Sequence, residues 1–585
     1  MTDALGQTKQ FSYAKDDRVA GITYVNAVNS TPNVSFAYDS YFPRLVSMTD
    51  GTGTTQYSYV PIGSPGALQL AQESSPLPGS AITYAYDPLG RTASRAVAGS
   101  GAETFQYDTI NRLSGYTNDL GAFTLSYLGQ TGQVTQRQLA GSTLATTWTY
   151  LANSGDRRLS GISHVGLSAS NVSAWQFAST PEDFIIGVTE TSDAATVYPT
   201  VGQQTAAFNP LNQLTSLSAQ TALTYSATGN LLSDGQRVFA WDAEDRLVGI
   251  TWPAQPGKQV TFAYDGLSRR TTISSTPAGG GGTVTTSYVW CGASLCQMRN
   301  AANTLTRAYF DEGEIIPGAP AQSLYYGADQ IGSVRRVFAS TGSAPAYAYD
   351  PYGVALQGTA PLTDFGFAGM FWHADSGLYL TQYRAYDATL GRWLSRDPLG
   401  EGADPGGNLY AYVGGQPTRY VDPRGANVVA AGLAGGKFGG MIGASAGTAI
   451  LPGPGTVIGG AAGVVVGAVA GVTIFVGGVI LFDHLLSPPP PTDTSNLGST
   501  VVQSRGLPPE GVTPPVEGVC KPGPASRPSE QAKGGQSLWD EKGGEWRWFP
   551  GDKWHNPHWD HNPHDRPNAP WQNVPHGGLP PVKPP

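Results

Sequence analysis

Up to residue 425 the chain repeats one short pattern of apolar and polar positions. Runs such as TFAYD (261–265) and ALTYS (222–226) alternate the two classes, the two-residue period of a strand with one buried face. Most runs end on an aromatic residue followed by Asp or Asn, then a turn, then an apolar residue that opens the next run. Tyr86-Asp87 precedes Gly90-Arg91, Tyr107-Asp108 precedes Asn111-Arg112-Leu113, Trp241-Asp242 precedes Asp245-Arg246-Leu247, and Tyr264-Asp265 precedes Ser268-Arg269. Variants start at Tyr38-Asp39, Phe208-Asn209 and Tyr225, and adjacent units lie 16 to 23 residues apart. Asp and Asn fasten such turns through their own side chains, and Gly supplies positive φ. One hairpin cannot bury its own apolar face, so the units must stack into a continuous sheet. The expected fold is mainly β.

Composition sharpens this. Gly 76 and Pro 45 in 585 residues disfavour an ordinary helical enzyme. The net charge of −9 argues against nucleic-acid binding by a broad basic surface and leaves a local site open. Three cysteines do not make a disulfide-dense module. For Cys291 and Cys296 the favoured reading is two buried small residues on neighbouring strands, ahead of a disulfide. Cys520 stands alone in a Pro-rich stretch. Met1 is followed by no apolar core, so no N-terminal signal peptide is expected.

The texture changes near residue 426, and five regions are expected: repeats over 1–322, a closing segment over 323–425, a Gly-rich apolar segment over 426–486, a Pro-rich linker over 487–530, and a Trp- and His-rich module over 531–585. Residues 457–482 carry no charge and are long enough to span a bilayer as a helix. Gly459 and Gly463, then Gly467 and Gly471, have the spacing of close helix packing in lipid. Two readings of 428–482 stay open: a membrane-inserting hairpin, or an apolar segment kept dry inside the shell. The linker reads as extended, largely polyproline chain.

The repeated Y-D-x-x-G-R-L pattern resembles the YD repeat of RHS proteins and teneurins. SLYYGADQIGSVRRV (323–337) and FGFAGMFWHADSGLYLTQYRAYDATLGRWLSRDPLG (365–400) resemble the RHS core-associated segment, and NLYAYVGGQPTRYVDPRG (408–425) its closing part. The resemblance covers about 1–425. It implies a spiral of β-hairpins forming a complete or partial cocoon around a variable C-terminal toxin. It also implies use in competition between bacteria, secretion or delivery into target cells through secretion machinery, and a cognate immunity protein. A non-enzymatic YD-repeat cell-surface or adhesion protein, and a degenerate RHS fragment, are the alternatives.

Asp397-Pro398-Leu399-Gly400 and Asp422-Pro423-Arg424-Gly425 bracket 21 residues. In RHS proteins such a pair frames an intramolecular aspartyl protease site that cuts just past the second motif, here at Ala426. Two close carboxylates do not both ionise readily, so one can hold a proton while the other activates water. Asp404 is a second candidate partner for Asp397, and Arg392 or Arg396 is expected to hold one carboxylate ionised. DPxG is also a good turn and nothing more.

Five of the eight histidines lie in the last module: His555, His558, His561, His564 and His576, interleaved with Asp552, Asp560 and Asp565. Prolines at 557 and 563 exclude a regular helix there. Three uses compete: acid–base cleavage of a phosphodiester, a divalent metal held by His555, His558, His561 or His564, and packing of His on Trp. GGEWRWFPGDKWHNPHWDHNPH resembles C-terminal modules of polymorphic toxins. WDEKGGEW resembles the WDxxHGE strand of colicin-type ribonucleases, which assigns chemistry to Asp540 and Glu545 and puts Gly543 where a His is expected. The reading is a nuclease acting on RNA or DNA, with His555, His558 and His561 ahead of Asp540, Glu545 and Asp560, and no certain cofactor. Membrane contact would run through 428–482.

Overall fold

The computed structural model describes residues 1–194, 196, 198, 202–218, 223–356, 361–400, 407–426, 429–430, 521–524, 536–542, 545–549, 558–562 and 572–575. The chain divides into two units, Met1–Pro488 and Pro489–Pro585. In the first, sixteen antiparallel strands follow one another in chain order from Thr8–Tyr13 to Ile185–Ser192. A second sheet of twelve runs from Thr224–Tyr225 to Val334–Ala339, and four short strands from Phe371–His373 to Arg392–Trp393 make a third. Among the described residues there is no α-helix.

The repeat has a chemical logic visible from one unit to the next. Asp87 Oδ1 accepts the N–H groups of Leu89 and Arg91, both at 2.9 Å, and its Oδ2 takes Arg91 Nε at 2.6 Å. The Arg91 guanidinium, so fixed, lies 4.4 Å from the ring centroid of Tyr107 in the following unit. The Tyr107 hydroxyl reaches back and donates to the carbonyl of Thr92 at 2.9 Å. Asp108, Arg112, Tyr127 and Leu113 repeat the arrangement. So do Asp242, Arg246, Tyr264 and Leu247. Each turn is thus clamped to its successor by an ion pair, a cation–π contact and a hydrogen bond.

The strand register slips by one residue just before the aromatic of these turns, between Ala37 and Tyr38, Ala85 and Tyr86, Ala240 and Trp241, and Ala263 and Tyr264. Such bulges bend a strand and increase its twist. Repeated once per unit, they curl the sheet rather than leave it flat.

The residue two before that aromatic points inward. Phe36, Tyr84, Phe105, Phe239 and Phe262 hold this place and are all buried. Polar groups tie the two large sheets together. Arg299 donates to the carbonyls of Pro78, Gly79 and Ala98, and Arg269 pairs with Glu73 at 2.8 Å. Glu312 accepts from Tyr116 and Asn118.

Cys291 and Cys296 form a disulfide, against the favoured expectation of two free residues. The hairpin pairs Cys291 with Ser294 and Trp290 with Leu295, which brings the two Cα atoms to 5.8 Å, inside disulfide range. Cys520 lies outside the described residues, as does the apolar tract apart from two strand residues at 429–430. No helix among the described residues is long and apolar enough to cross a membrane.

In the second unit five short strands, Lys521–Pro524, Gln536–Trp539, Glu545–Phe549, His558–Asn562 and Gln572–Pro575, form one antiparallel sheet in chain order.

Candidate functional sites

The two DPxG motifs meet at one arginine. Nη2 of Arg384 lies 2.8 Å from Asp397 Oδ2 and 2.7 Å from Asp422 Oδ2. Nη1 donates to the Leu409 carbonyl at 3.3 Å, and Nε donates to the Gly425 carbonyl at 2.5 Å. The guanidinium fork therefore holds both carboxylates and the carbonyl of the bond between Gly425 and Ala426. The Asp422 side chain is 1% exposed and the Asp397 side chain 16%, so water reaches the pair from the Asp397 side.

Asp422 caps its turn much as the repeat aspartates do, with one contact shifted by a residue. In the motif at Asp350 the carboxylate caps the N–H groups two and four residues on, Tyr352 and Val354, as Asp87 does. That is the plain turn. Asp422 Oδ1 keeps the contact four residues on, with the Ala426 N–H at 3.0 Å, the nitrogen of that same bond, and accepts from Gly425, three residues on, at 2.8 Å.

The turn 381–384 cradles the segment. Tyr383 N–H donates to the Arg424 carbonyl at 3.1 Å. Thr381 Oγ1 donates to the Arg384 carbonyl at 2.8 Å. A Cβ on Gly425 would lie 2.2 Å from Thr381 Oγ1 and 3.0 Å from Arg384 N, and its φ is +75°. Only glycine fits there.

The arginine expected at the site was Arg392 or Arg396, and the one found between the carboxylates is Arg384. Arg392 points instead at the carbonyl of Asn212, 2.5 Å away, and at Asn408, and it stacks on Phe208. It lies on the strand Arg392–Trp393 next to Trp393, and adjacent strand residues face opposite ways. Asp404 lies outside the described residues.

In the C-terminal sheet, Asp540 and Glu545 serve different faces. Asp540 Oδ2 accepts from Trp546 Nε1 at 2.8 Å and lies 3.9 Å from His561 Nε2. The His561 and Trp546 rings stack at 3.9 Å with 20° between their planes. Glu545, fully buried, accepts from Ser537 Oγ at 2.7 Å. Glu545 and Trp546 are consecutive on one strand, so their side chains leave opposite faces. Asp540 and Glu545, the two residues matched to the colicin-type motif, thus hold different partners, Trp546 and Ser537.

Along the strand His558–Asn562, His558 pairs in register with Phe549 and Asp560 with Arg547. His555, His564, His576, Asp552 and Asp565 lie outside the described residues. Among the described residues no three His, Cys, Asp or Glu side chains gather as a metal site would need.

The Teneurin YD-shell family model matches residues 199–401. The tRNA nuclease WapA of Bacillus subtilis is 32% identical over 249 residues, 39% of this chain and 10% of its own length. The double-stranded DNA deaminase toxin A of Burkholderia cenocepacia is 27% identical over 219 residues, 32% of this chain and 15% of its own. Among solved structures, TcdB2-TccC3-TEV superposes with a TM-score of 0.54 at 18% identity, covering 72% of this chain and 27% of that one. The chain thus spans about a tenth of the length of the WapA relative. With the clamped Tyr-Asp turns and the bulged, sequentially ordered sheets, these matches give the N-terminal part of this chain the fold of a YD-repeat shell.

Proposed function

We propose that the chain is an RHS-type polymorphic toxin whose shell cuts its own chain after Gly425 and releases a C-terminal effector acting on nucleic acid. The observation that carries the cleavage reading is the Arg384 fork, which joins Asp397, Asp422 and the Gly425 carbonyl. Asp397, on the wetter side, takes a proton from water as the water oxygen bonds to the Gly425 carbonyl carbon. Arg384 Nε stabilises the negative charge that develops on the carbonyl oxygen. Asp422 Oδ1 accepts the Ala426 N–H, and that nitrogen takes the proton that Asp397 drew from water as the C–N bond breaks. Each carboxylate ends as it began, and the proton has passed from water to the new amine.

The effector reading rests on position and on the relatives. A tRNA nuclease and a DNA deaminase toxin both match this chain, and both names describe action on nucleic acid. In this reading, His555 and His558 carry proton transfer at a phosphodiester, and an immunity protein protects the producing cell. Secretion machinery delivers the toxin, and 428–482 is its membrane contact.

Expression of the full chain tests the cleavage. The wild type should yield a fragment beginning at Ala426, and Asp397→Asn should stay intact. An intact wild type, or cleavage that persists in Asp397→Asn, overturns it.

A further inference from the structure

One contact of Arg384 has no part in the chemistry above. Its guanidinium carbon lies 4.3 Å from the centroid of the Trp393 ring, on which the fork rests. Trp393 is 2% exposed and lies in the aromatic cluster behind the site, edge-on to Tyr386 at 5.3 Å and near Tyr412 at 5.9 Å. Its backbone N–H donates to the Tyr410 carbonyl, and it pairs in register with Tyr386, two residues after Arg384. Its indole N–H makes no hydrogen bond. The ring face, and not the N–H, is what the site uses.

The fork must serve three oxygen acceptors from one plane, with Nε on the Gly425 carbonyl and Nη2 on both carboxylates. A guanidinium held only by its acceptors could tilt toward either carboxylate and draw Nε off the carbonyl. A flat aromatic face beneath it removes that freedom and adds attraction to the cation in a dry setting.

We propose that Trp393 is a positioning residue for self-cleavage: its ring face fixes the plane of Arg384 so that Nε stays on the Gly425 carbonyl while Nη2 holds both carboxylates. The proposal rests on the self-cleavage reading. It assigns Trp393 no contact with the reacting atoms.

Pulse-labelled synthesis of the full chain, following appearance of the fragment that starts at Ala426, separates the two ideas. If the wild type yields no fragment, the cleavage reading itself has failed. Given wild-type cleavage, Trp393→Leu should slow it roughly tenfold or more, the loss expected for a desolvated cation–π contact. Trp393→Phe, which keeps a ring face and drops the N–H, should restore most of the rate. Thermal melting of both variants checks that the shell has folded. A folded Trp393→Leu that cuts at the wild-type rate overturns the proposal. So does a Trp393→Phe as slow as Trp393→Leu, which would mean that the ring face is not what matters.

Discussion

Arg384 Nε and the carbonyl oxygen of Gly425 are 2.5 Å apart. The contact joins residues 41 positions apart in sequence, so it exists only when the closing segment is folded. Self-cleavage should therefore follow folding of the shell rather than local turn formation. Arg384→Met should lower the rate by roughly 10²–10³, the usual loss on removing one donor to a developing oxyanion. It should also lower stability by about 3–5 kcal/mol, because two buried or half-buried carboxylates lose their shared cation. Fragment appearance and urea unfolding measure the two effects separately.

Gly425 tests the cradle. Gly425→Ala puts a Cβ against Thr381 Oγ1 at a φ of +75°, so the segment must move to make room. The carbonyl then leaves Arg384, and cleavage should stop. The backbone cost alone is about 1–2 kcal/mol. Mass spectrometry of the purified chain would show one intact species, and a cut Gly425→Ala chain would refute this account.

The fold was legible in the sequence because its signals are local. Alternation, the Asp turn and the aromatic before it sit within a few residues of one another, and the clamp from Arg91 to Tyr107 only repeats them. The central arginine was hidden by the same regularity. In TQYRAYD, Arg384 occupies the place, two before the aromatic, that Phe36, Tyr84, Phe105, Phe239 and Phe262 fill elsewhere. A charge standing where the repeat requires a buried ring was the available signal. Arg396 adjoins the first DPxG motif and Arg392 lies five residues before it, and neighbours in sequence are the only ones a sequence displays. Arg392 lost its place because strand alternation turns it the other way. In the C-terminal module the motif comparison matched Asp540 and Glu545 by sequence position, and the partners each holds, Trp546 and Ser537, show only in the fold.

The inter-unit clamp should be measurable one bond at a time. Tyr107→Phe removes only the hydrogen bond to Thr92 and should cost about 1 kcal/mol. Arg91→Ala removes the ion pair with Asp87 and the contact with Tyr107, and should cost more than Tyr107→Phe. Guanidinium unfolding of the two variants and their double would show coupling, since both act at one clamp.

Stability should fall as pH rises from about 6.5 to 8. Burial and then Glu312 push Asp311 up to about 7, and burial and then Asp364 push Glu314 up to about 8. A raised carboxyl favours folding below its unfolded value, and that contribution is lost as pH climbs to the folded one. Burial holds His164 and His373 down at about 4. A depressed histidine favours folding above its unfolded value of roughly 6.5 and loses that contribution as pH falls toward 4. Between 4 and 6.5 the two pairs oppose each other, and above 6.5 only the carboxyls act. The loss from 6.5 to 8 should be on the order of 2 kcal/mol. Glu314→Gln should flatten that slope, and denaturant midpoints across the range would read it.

The C-terminal module offers a way to tell a structural histidine from a reactive one. His561 is stacked on Trp546 and sits beside Asp540, which itself accepts from the Trp546 indole. Three side chains on three neighbouring stretches of chain lean on one another there, and Asp540 also caps the N–H of Lys542. His561→Ala should therefore loosen the sheet and lower the yield of soluble module, with toxicity falling as a consequence. His555 and His558 flank Asn556-Pro557 and follow Gly551-Asp552-Lys553 in sequence, and in the nuclease reading they carry the proton transfer. Alanine at both should abolish toxicity and nucleic-acid breakdown while the chain stays soluble. The two outcomes are compared by expressing each full-length variant in a bacterial cytoplasm and following growth, soluble yield and the integrity of RNA and DNA. Chelator sensitivity then separates acid–base cleavage from a metal-activated water. If the His555/His558 double variant still kills, or if growth stops with RNA and DNA intact, the nuclease reading falls and the effector acts on another target. If His561→Ala stays fully soluble and only activity is lost, the stacked imidazole belongs to the chemistry and not to the scaffold.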